Sequence, residues 1–276
     1  MDQKLRRCAR GAAYRLANFR RADPASYTYF GIRIAHAPGD LLVQRAVQEG
    51  VFESDVVKTL GTFLRPGSAY FDIGANLGLL AIPFLGQQGL QVHSFEPCPT
   101  VLQYLRETCR NAARPNWHLH EVALGAADGT ADFHLGGAQE AAYAGLQATG
   151  RTTSSSQVTV QVRTLDSLWR ELGHPPVSVI KIDVEGGEID AFRGGMECIR
   201  STRPAIIAEI DPLNFPNYTQ TTESIFQFIE AMDYEIYQIP DYACQKPCYH
   251  RITSATELSV NLKVDINYLL LPRKQA

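Results

Sequence analysis

From Tyr70 onward the chain alternates short apolar runs with longer stretches in which apolar residues return every three or four positions. "AYFDIGAN" reads as a strand entering a glycine turn and "LGLLAIPFLGQQG" as a helix. "QVHSFEP" is a second strand, and "PTVLQYLRETCRNA" a second helix with Leu102, Leu105 and Cys109 on one face. "WHLHEVALG" is a third strand. The rhythm breaks over residues 125–162, where "GAADGTADFHLGG" and "SSSQVTVQVRTL" read as two strands around a polar loop at 136–156. It resumes with helix "LDSLWREL", strand "VSVIKID", helix "GEIDAFRGGMECI" and strand "PAIIAEID". Helix "TESIFQFIEAM", strand "YEIYQI" and a last strand, "NYLLLPR", complete the chain. Such alternation predicts an α/β fold, a mostly parallel sheet covered by helices on both faces.

The pattern ahead of Tyr70 differs. Residues 3–21 predict an amphipathic helix, with Leu5, Ala9, Ala12, Leu16 and Phe19 at helical spacing. "SYTYFGIRI" reads as one short strand, and residues 40–64 as one or two helices, the second being "ESDVVKTLGTFL". The expected division is an N-terminal extension over residues 1–50 and one domain over 51–276.

Composition adds bounds. The 276 residues are 45% hydrophobic and 20% charged, as in an ordinary globular protein able to bury a sizeable core. No apolar run reaches the roughly 18 residues of a membrane span, and "MDQKLRRCARG" lacks the apolar core of a signal peptide. Six cysteines, at 8, 98, 109, 198, 244 and 248, are scattered rather than framed, which fits a reducing, cytoplasmic setting. The net charge of −3 hides an asymmetry: residues 1–21 carry seven basic residues against Asp2, +6, so the remainder is −9 (−3 − 6). A net-acidic body argues against nucleic acid as partner. For the basic helix, a peripheral membrane contact, an acidic partner, packing on its own domain and packing on a second subunit all stay open.

In a doubly wound sheet ligands bind beyond the carboxyl ends of the strands. The residues expected there are Asp72, Gly74, Ala75, Asn76 and Gly78 after the first strand, and Glu96 and Pro97 after the second. Ala123 and Leu124 follow the third strand, Asp183 and Glu185 the fourth, and Glu209 and Asp211 the fifth. Four of these five ends are acidic. Each acid alone has a structural reading, such as a helix cap; their joint placement around one cleft points to a ligand.

Gly74 permits a backbone shape closed to other residues and a close approach of another group. Glu96 follows it by 22 positions (96 − 74), near the spacing of about 20 expected of an acid that grips a ribose diol. A nicotinamide dinucleotide would call for G-x-G-x-x-G to hold its pyrophosphate, whereas Asn76 stands where the second glycine belongs. A turn with an acid before it suits a nucleoside bearing an ammonium and a carboxylate but no phosphate. S-adenosylmethionine fits, its amino-acid end at Asp72 and the turn amides, its ribose at Glu96.

Six blocks in series, "FDIGANLG", "SFEPCP", "VALGAADG", "RTLDSLW", "IKIDVEGGEIDAFRGG" and "RPAIIAEI", resemble the FkbM-type family of S-adenosylmethionine-dependent O-methyltransferases over roughly residues 55–240. The resemblance implies a Rossmann-like class I methyltransferase fold: a seven-stranded, mostly parallel sheet with the last strand antiparallel. It also implies methylation of a hydroxyl, and Asp72, Gly74, Asn76, Gly78 and Glu96 as cofactor contacts. Ala81 and Cys98 depart from the family's usual polar choices. The first 50 residues fall outside the resemblance.

Methyl transfer is an in-line displacement from an already activated sulfonium. Placing the acceptor oxygen in attack geometry can supply about 7–11 kcal/mol, while a base adds about 10²–10⁴-fold. Asp183 or Glu185 is therefore expected to orient the acceptor and take its proton. Glu188 should enrich the first turn of the next helix, and Asp190 should be solvated. A second reading sets Mg2+ on Asp183 and Glu209, with Asp211 beside them, to orient a sugar diol. A soft-metal site over residues 244–250, "CQKPCYH", has too few ligands to stand, and His93, His118 and His120 read as core or surface histidines. The expected activity is O-methylation of a small molecule or glycan, with "DPLNFPNYTQTT" and the 136–156 loop as acceptor walls. The alternatives are an NAD-dependent oxidoreductase and a non-catalytic nucleoside-binding module; a glycosyltransferase using "DVE" as a metal motif explains neither Glu96 nor the glycine turn.

Overall fold

The computed structural model describes residues 27–135, 144–147, 156–240, 242, 248–262 and 266–274. The basic helix expected over 3–21 lies outside these residues, as do most of the 136–156 loop and Cys244.

The described chain opens with a hairpin, β1 (Tyr27–Tyr29) and β2 (Ile32–Ile34), where the sequence reads as a single strand. Phe30 and Gly31, both at positive φ, turn it. Helices follow at Leu41–Glu49, capped by the Asp40 carboxylate, and at Ser54–Phe63. The central strands are β3 (Ala69–Ile73), β4 (Gln91–Phe95) and β5 (Trp117–His120). Then come β6 (Ala123–Leu124), β7 (Gly129–Leu135), β8 (Ser156–Arg163), β9 (Val177–Ile182) and β10 (Ala205–Glu209). The chain closes with β11 (Tyr234–Gln238), β12 (Arg251–Ile252) and β13 (Asn267–Pro272).

The main sheet has the order β12-β11-β13-β10-β9-β3-β4-β5. It is parallel from β10 through β5, and β13 runs antiparallel to both β10 and β11. Counted from β3 to β13 within this sheet and leaving out β12, this is 3-2-1-4-5-7-6, with the seventh strand antiparallel, as expected. The eighth strand is an addition: two residues of β12 pair with the edge strand β11. All six residues of β9, "VSVIKI", are buried, because helices cover both faces of the sheet. The chain winds outward from β3 in one direction and from β9 in the other, so the β3/β9 boundary is the topological switch point at which such sheets bind ligands.

Three further differences have local causes. "WHLHEVALG" divides between β5 and β6, the latter leaving the main sheet for a small one of order β6-β8-β7. The helix expected over "LGLLAIPFLGQQG" is a series of tight turns with only one 3₁₀ segment, Ile82–Phe84. Pro83 lacks the N–H a helix interior needs, and Gly78 sits at φ +78°. The helix expected over "GEIDAFRGGMECI" breaks at Gly194-Gly195 into Glu188–Arg193 and Met196–Thr202. Tyr29, Ile32 and Ile34 of the hairpin share one hydrophobic cluster with Tyr70 and Leu105 of the central fold, and Ala35 N donates to Thr108 Oγ1 at 3.0 Å in the helix Pro99–Ala112.

Candidate active site

The carboxyl ends of β3, β4, β9 and β10 open into a cleft of about 860 Å³. Its floor begins with the turn after β3. The N–H groups of Gly74 and Ala75 both donate to the Phe95 carbonyl at 3.0 Å, and Gly74 and Asn76 adopt positive φ, +76° and +48°. A Cβ on Gly74 would lie 1.8 Å from the Asp183 carbonyl oxygen. Glycine is thus required because the end of β9 presses on the turn, and Asp183 N donates to Ile73 O at 3.1 Å beside it. Gly78 has another role. A Cβ there would meet Trp117 at 2.7 Å, within the core, and Gly78 does not line the cleft.

Glu96 is buried at the end of β4. Its two oxygens accept from Asn76 N at 2.9 Å and Cys98 N at 2.8 Å, tying the two strand ends together. Burial pushes its carboxyl up to about 7. Asp72 is 1% exposed. The Tyr70 hydroxyl donates to its Oδ1 at 3.4 Å, while its Oδ2 has no hydrogen-bond partner among the described residues. Burial raises Asp72 to about 6, a rise that the nearby charge of Lys181 opposes. Ala75, Asn76, Pro97, Ala123 and Leu124 line the same cleft.

Lys181 is the residue the sequence reading passed over. It is 2% exposed, yet its Nζ reaches Asp183 Oδ2 at 2.8 Å on the same edge of β9. Burial alone would lower its pKa, but the charges of Asp183, Glu53 and Glu209 outweigh this and raise it. The available signal was a lysine inside a run of otherwise apolar, buried residues, a position lysine occupies only when paired. Glu53 entered the site equally unannounced: in αL conformation ahead of the helix Ser54–Phe63, it points its carboxylate to Arg45 at 3.2 Å. Both Glu53 and Arg45 line the cleft.

The acids of "IKIDVEGGEID" now separate by role. Carboxylate oxygens of Asp183, Glu185 and Glu209 lie within 4.8 Å of one another. Asp211 does not belong to this trio; its carboxylate accepts from Leu213 N at 2.9 Å at the start of the 3₁₀ segment Pro212–Tyr218. Glu185 Oε2 accepts from the buried Asn214 Nδ2 at 3.0 Å. Glu188 is buried, and its Oε1 accepts from Val184 N and Gly186 N at 3.2 and 3.1 Å, bracing the turn after β9. Asp190 pairs with Arg193 at the surface. Burial, then the Asp183 charge, pushes Glu209 well above the usual carboxylate range. His93, His118 and His120 stack across β4 and β5 outside the cleft lining. Burial lowers His93 to about 3 and His120 to about 4, so both are neutral.

The remaining lining is largely apolar, with Leu42, Phe52, Phe133, Ala144 and Leu146 and the 68%-exposed Leu213 among it. The donor set matches a cationic nucleoside. A buried carboxylate with one oxygen unpartnered among the described residues, Asp72, lines the cleft together with a strand-end glutamate, Glu96. For a divalent ion the three carboxylates supply suitable oxygen donors, but the Lys181 ammonium already neutralises one of them.

The strand order, with its cleft at the switch point, defines a Rossmann-like class I methyltransferase fold. A family model described as the methyltransferase FkbM domain matches residues 72–236, well over half of the chain. The chain belongs to that family. The 2-O-methyltransferase NoeI of Sinorhizobium fredii is 32% identical over 152 residues, covering 50% of this chain and 62% of that protein. The hexuronic acid methyltransferase AglP of Haloferax volcanii is 24% identical over 163 residues, covering 58% and 64%. A solved structure of methyltransferase FkbM from Methylobacillus flagellatus aligns with a TM-score of 0.42 at 17% identity, covering 86% of this chain and 56% of that one. The chain therefore spans less than two thirds of the length of the curated relatives it matches.

Proposed function

We propose that the protein transfers a methyl group from S-adenosylmethionine to a hydroxyl of a small molecule or glycan. The observation that carries this reading is the vacant Oδ2 of buried Asp72 beside the Gly74–Asn76 turn, with Glu96 one strand away. Asp72 would hold the cofactor's ammonium, Glu96 its ribose hydroxyls, and Ala75, Asn76, Pro97, Ala123 and Leu124 would surround the nucleoside. The bound cofactor supplies an activated methyl group; the protein's task is positioning and proton removal. Asp183, held by Lys181, is the base or acceptor-orienting group in this reading, and Glu185 supports it from the same turn. The names of the two curated relatives, a 2-O-methyltransferase and a hexuronic acid methyltransferase, support a sugar hydroxyl as acceptor. A cytoplasmic location is part of the same reading, on the scattered cysteines of the sequence.

Mg2+ enters only as a candidate ligand of Asp183, Glu185 and Glu209. Because Lys181 already supplies positive charge there, cofactor binding and methyl transfer are expected to survive chelation with EDTA. Titration calorimetry with S-adenosylmethionine, S-adenosylhomocysteine and NAD, with and without Mg2+, tests the reading. Binding of both sulfur nucleosides and not NAD is expected; binding of NAD alone would overturn it.

A further inference from the structure

Asp72 stands in a polar row that crosses three strands. In the register of the parallel sheet it pairs with Ser94 on β4 and with Lys181 on β9. Tyr70, two residues earlier on β3, projects to the same face. It is fully buried, its ring packed edge-on against Phe84 with centroids 6.0 Å apart, and it does not line the cleft. Its hydroxyl donates to Asp72 Oδ1 at 3.4 Å. Burying a hydroxyl is costly unless it finds a partner, and the partner here is the carboxylate assigned to the cofactor's ammonium. Ser94 is engaged from its other side, accepting from Trp117 Nε1 at 2.9 Å.

The groups around Asp72 act on it in opposite directions. Burial raises its carboxyl and the charge of Asp183 adds to the rise, while Lys181, the Tyr70 hydroxyl and Ser94 oppose it. Glu96, at the end of β4, is a further acid that feels the Asp72 charge. Lys181 is shared, since its ammonium is bonded to Asp183 and also feels Glu53 and Glu209. Tyr70 gives its hydrogen to Asp72. Burial and the Asp72 charge hold the phenol well above its usual range, so it keeps its proton and acts as a donor. A donor to a carboxylate favours the charged form, the form that receives a cation. We infer that Tyr70 is the positioning residue of the cofactor carboxylate: its hydroxyl holds Asp72 Oδ1, fixes the plane of the group and leaves Oδ2 for the ammonium of S-adenosylmethionine. This rests on the methyltransferase reading and adds to it a residue that acts on the cofactor only through Asp72.

The test is calorimetric titration of the full-length protein with S-adenosylhomocysteine, which carries the same ammonium, across the acid-to-neutral pH range. Losing a hydrogen bond to a charged group should move the rise in affinity of Tyr70→Phe upward by about 0.5–1 pH unit. Affinity well below the rise then falls about three- to tenfold, while the plateau above it stays within about twofold. Tyr234→Phe is the control. It removes a phenol equally buried, bonded to Pro204 O at 3.0 Å and outside the cleft lining, and should leave the profile in place. Fluorotyrosine in place of Tyr70, a more acidic phenol and a stronger donor, should move the rise the other way, and it carries the test if Tyr70→Phe does not fold. An unmoved profile in the Tyr70 variants, a loss of affinity equal at every pH, or an equal shift in Tyr234→Phe would overturn the inference and leave the cofactor assignment standing. So would a flat profile in the unmodified protein. Failure of the unmodified protein to bind S-adenosylhomocysteine at any pH would instead remove the methyltransferase reading, and the role of Tyr70 with it.

Discussion

Lys181 Nζ lies 2.8 Å from Asp183 Oδ2, although the lysine is 2% exposed and stands in the middle of a buried parallel sheet. Asp183 immediately follows β9, two positions after Lys181, so the two side chains project to the same face. The ammonium is thereby set against the carboxylate that ends the strand, with the charges of Glu53 and Glu209 also acting on it. A buried charge is tolerated only when paired. Here the pair does more than satisfy burial: it fixes the direction of a carboxylate at the switch point of the fold.

Replacing Lys181 with Met should therefore destabilise the protein. Breaking a buried pair typically costs about 3–5 kcal/mol. About 3 kcal/mol is expected here, because the Asp183 side chain keeps 31% of its surface exposed to the cleft. Adding Asp183→Asn, which removes the carboxylate that the ammonium pairs with, should recover part of the loss. Urea denaturation of the two variants measures both effects. An unchanged midpoint in Lys181→Met would show that the pair contributes nothing.

Asp183→Asn keeps the size of the side chain and removes its charge. Affinity for S-adenosylhomocysteine should stay close to that of the unmodified protein, whereas methyl transfer should fall about 10²–10⁴-fold, the range expected for loss of a proton acceptor. Full turnover in this variant would take Asp183 out of the mechanism.

Cofactor affinity should depend on pH through Asp72. Burial raises its carboxyl to about 6 from an ordinary value near 3.8, so the free protein holds a proton there at acidic pH. Binding a cation favours the carboxylate and releases that proton. Affinity for S-adenosylmethionine is thus expected to be weak at low pH, to rise as pH passes through 6 and to level off above it. It should be about tenfold lower at pH 5 than on the plateau, since each unit below the pKa is a factor of ten. Glu96, raised to about 7, broadens the transition upward. Calorimetry in two buffers of different ionisation enthalpy reads the released proton directly. Asp72→Asn should bind weakly, with a much flatter pH profile; an unaltered profile would show that Asp72 does not meet the cofactor.

At Gly74 a side chain meets two obstacles at once. The left-handed backbone costs a non-glycine residue about 1–3 kcal/mol, and a Cβ would sit 1.8 Å from the Asp183 carbonyl. Gly74→Ala should lower the melting temperature and loosen the β3–β9 junction, weakening S-adenosylhomocysteine binding as well. Gly78→Ala should also lower stability, through its clash with Trp117, but with a much smaller effect on the cofactor, since Gly78 faces the core.

The sequence by itself determined the class of fold, the order in which strands and helices follow, and the set of strand ends at which polar chemistry gathers. Periodicity carries this much because burial of one or both faces of an element dictates which positions are apolar. It also gathered Asp72, Glu96 and Asp183 at strand ends around one cleft, although each alone has a structural reading. Only the tertiary structure decided the rest. That Gly74 yields to the Asp183 carbonyl and Gly78 to Trp117 depends on strands that approach from distant parts of the chain. The loss of the helix after β3 could have been weighed from Pro83 alone, but its replacement by turns follows from packing around Gly78. Glu185 rather than Asp211 joins Asp183 and Glu209 because the turn after β9 carries Glu185 toward the cleft while Asp211 caps the next segment. Lys181 looks like an exception to its strand's apolar pattern until Asp183, Glu209 and Glu53 are set around it. Hydrophobic patterning records whether a position is buried; which charges meet there is decided by where separate strands end in space.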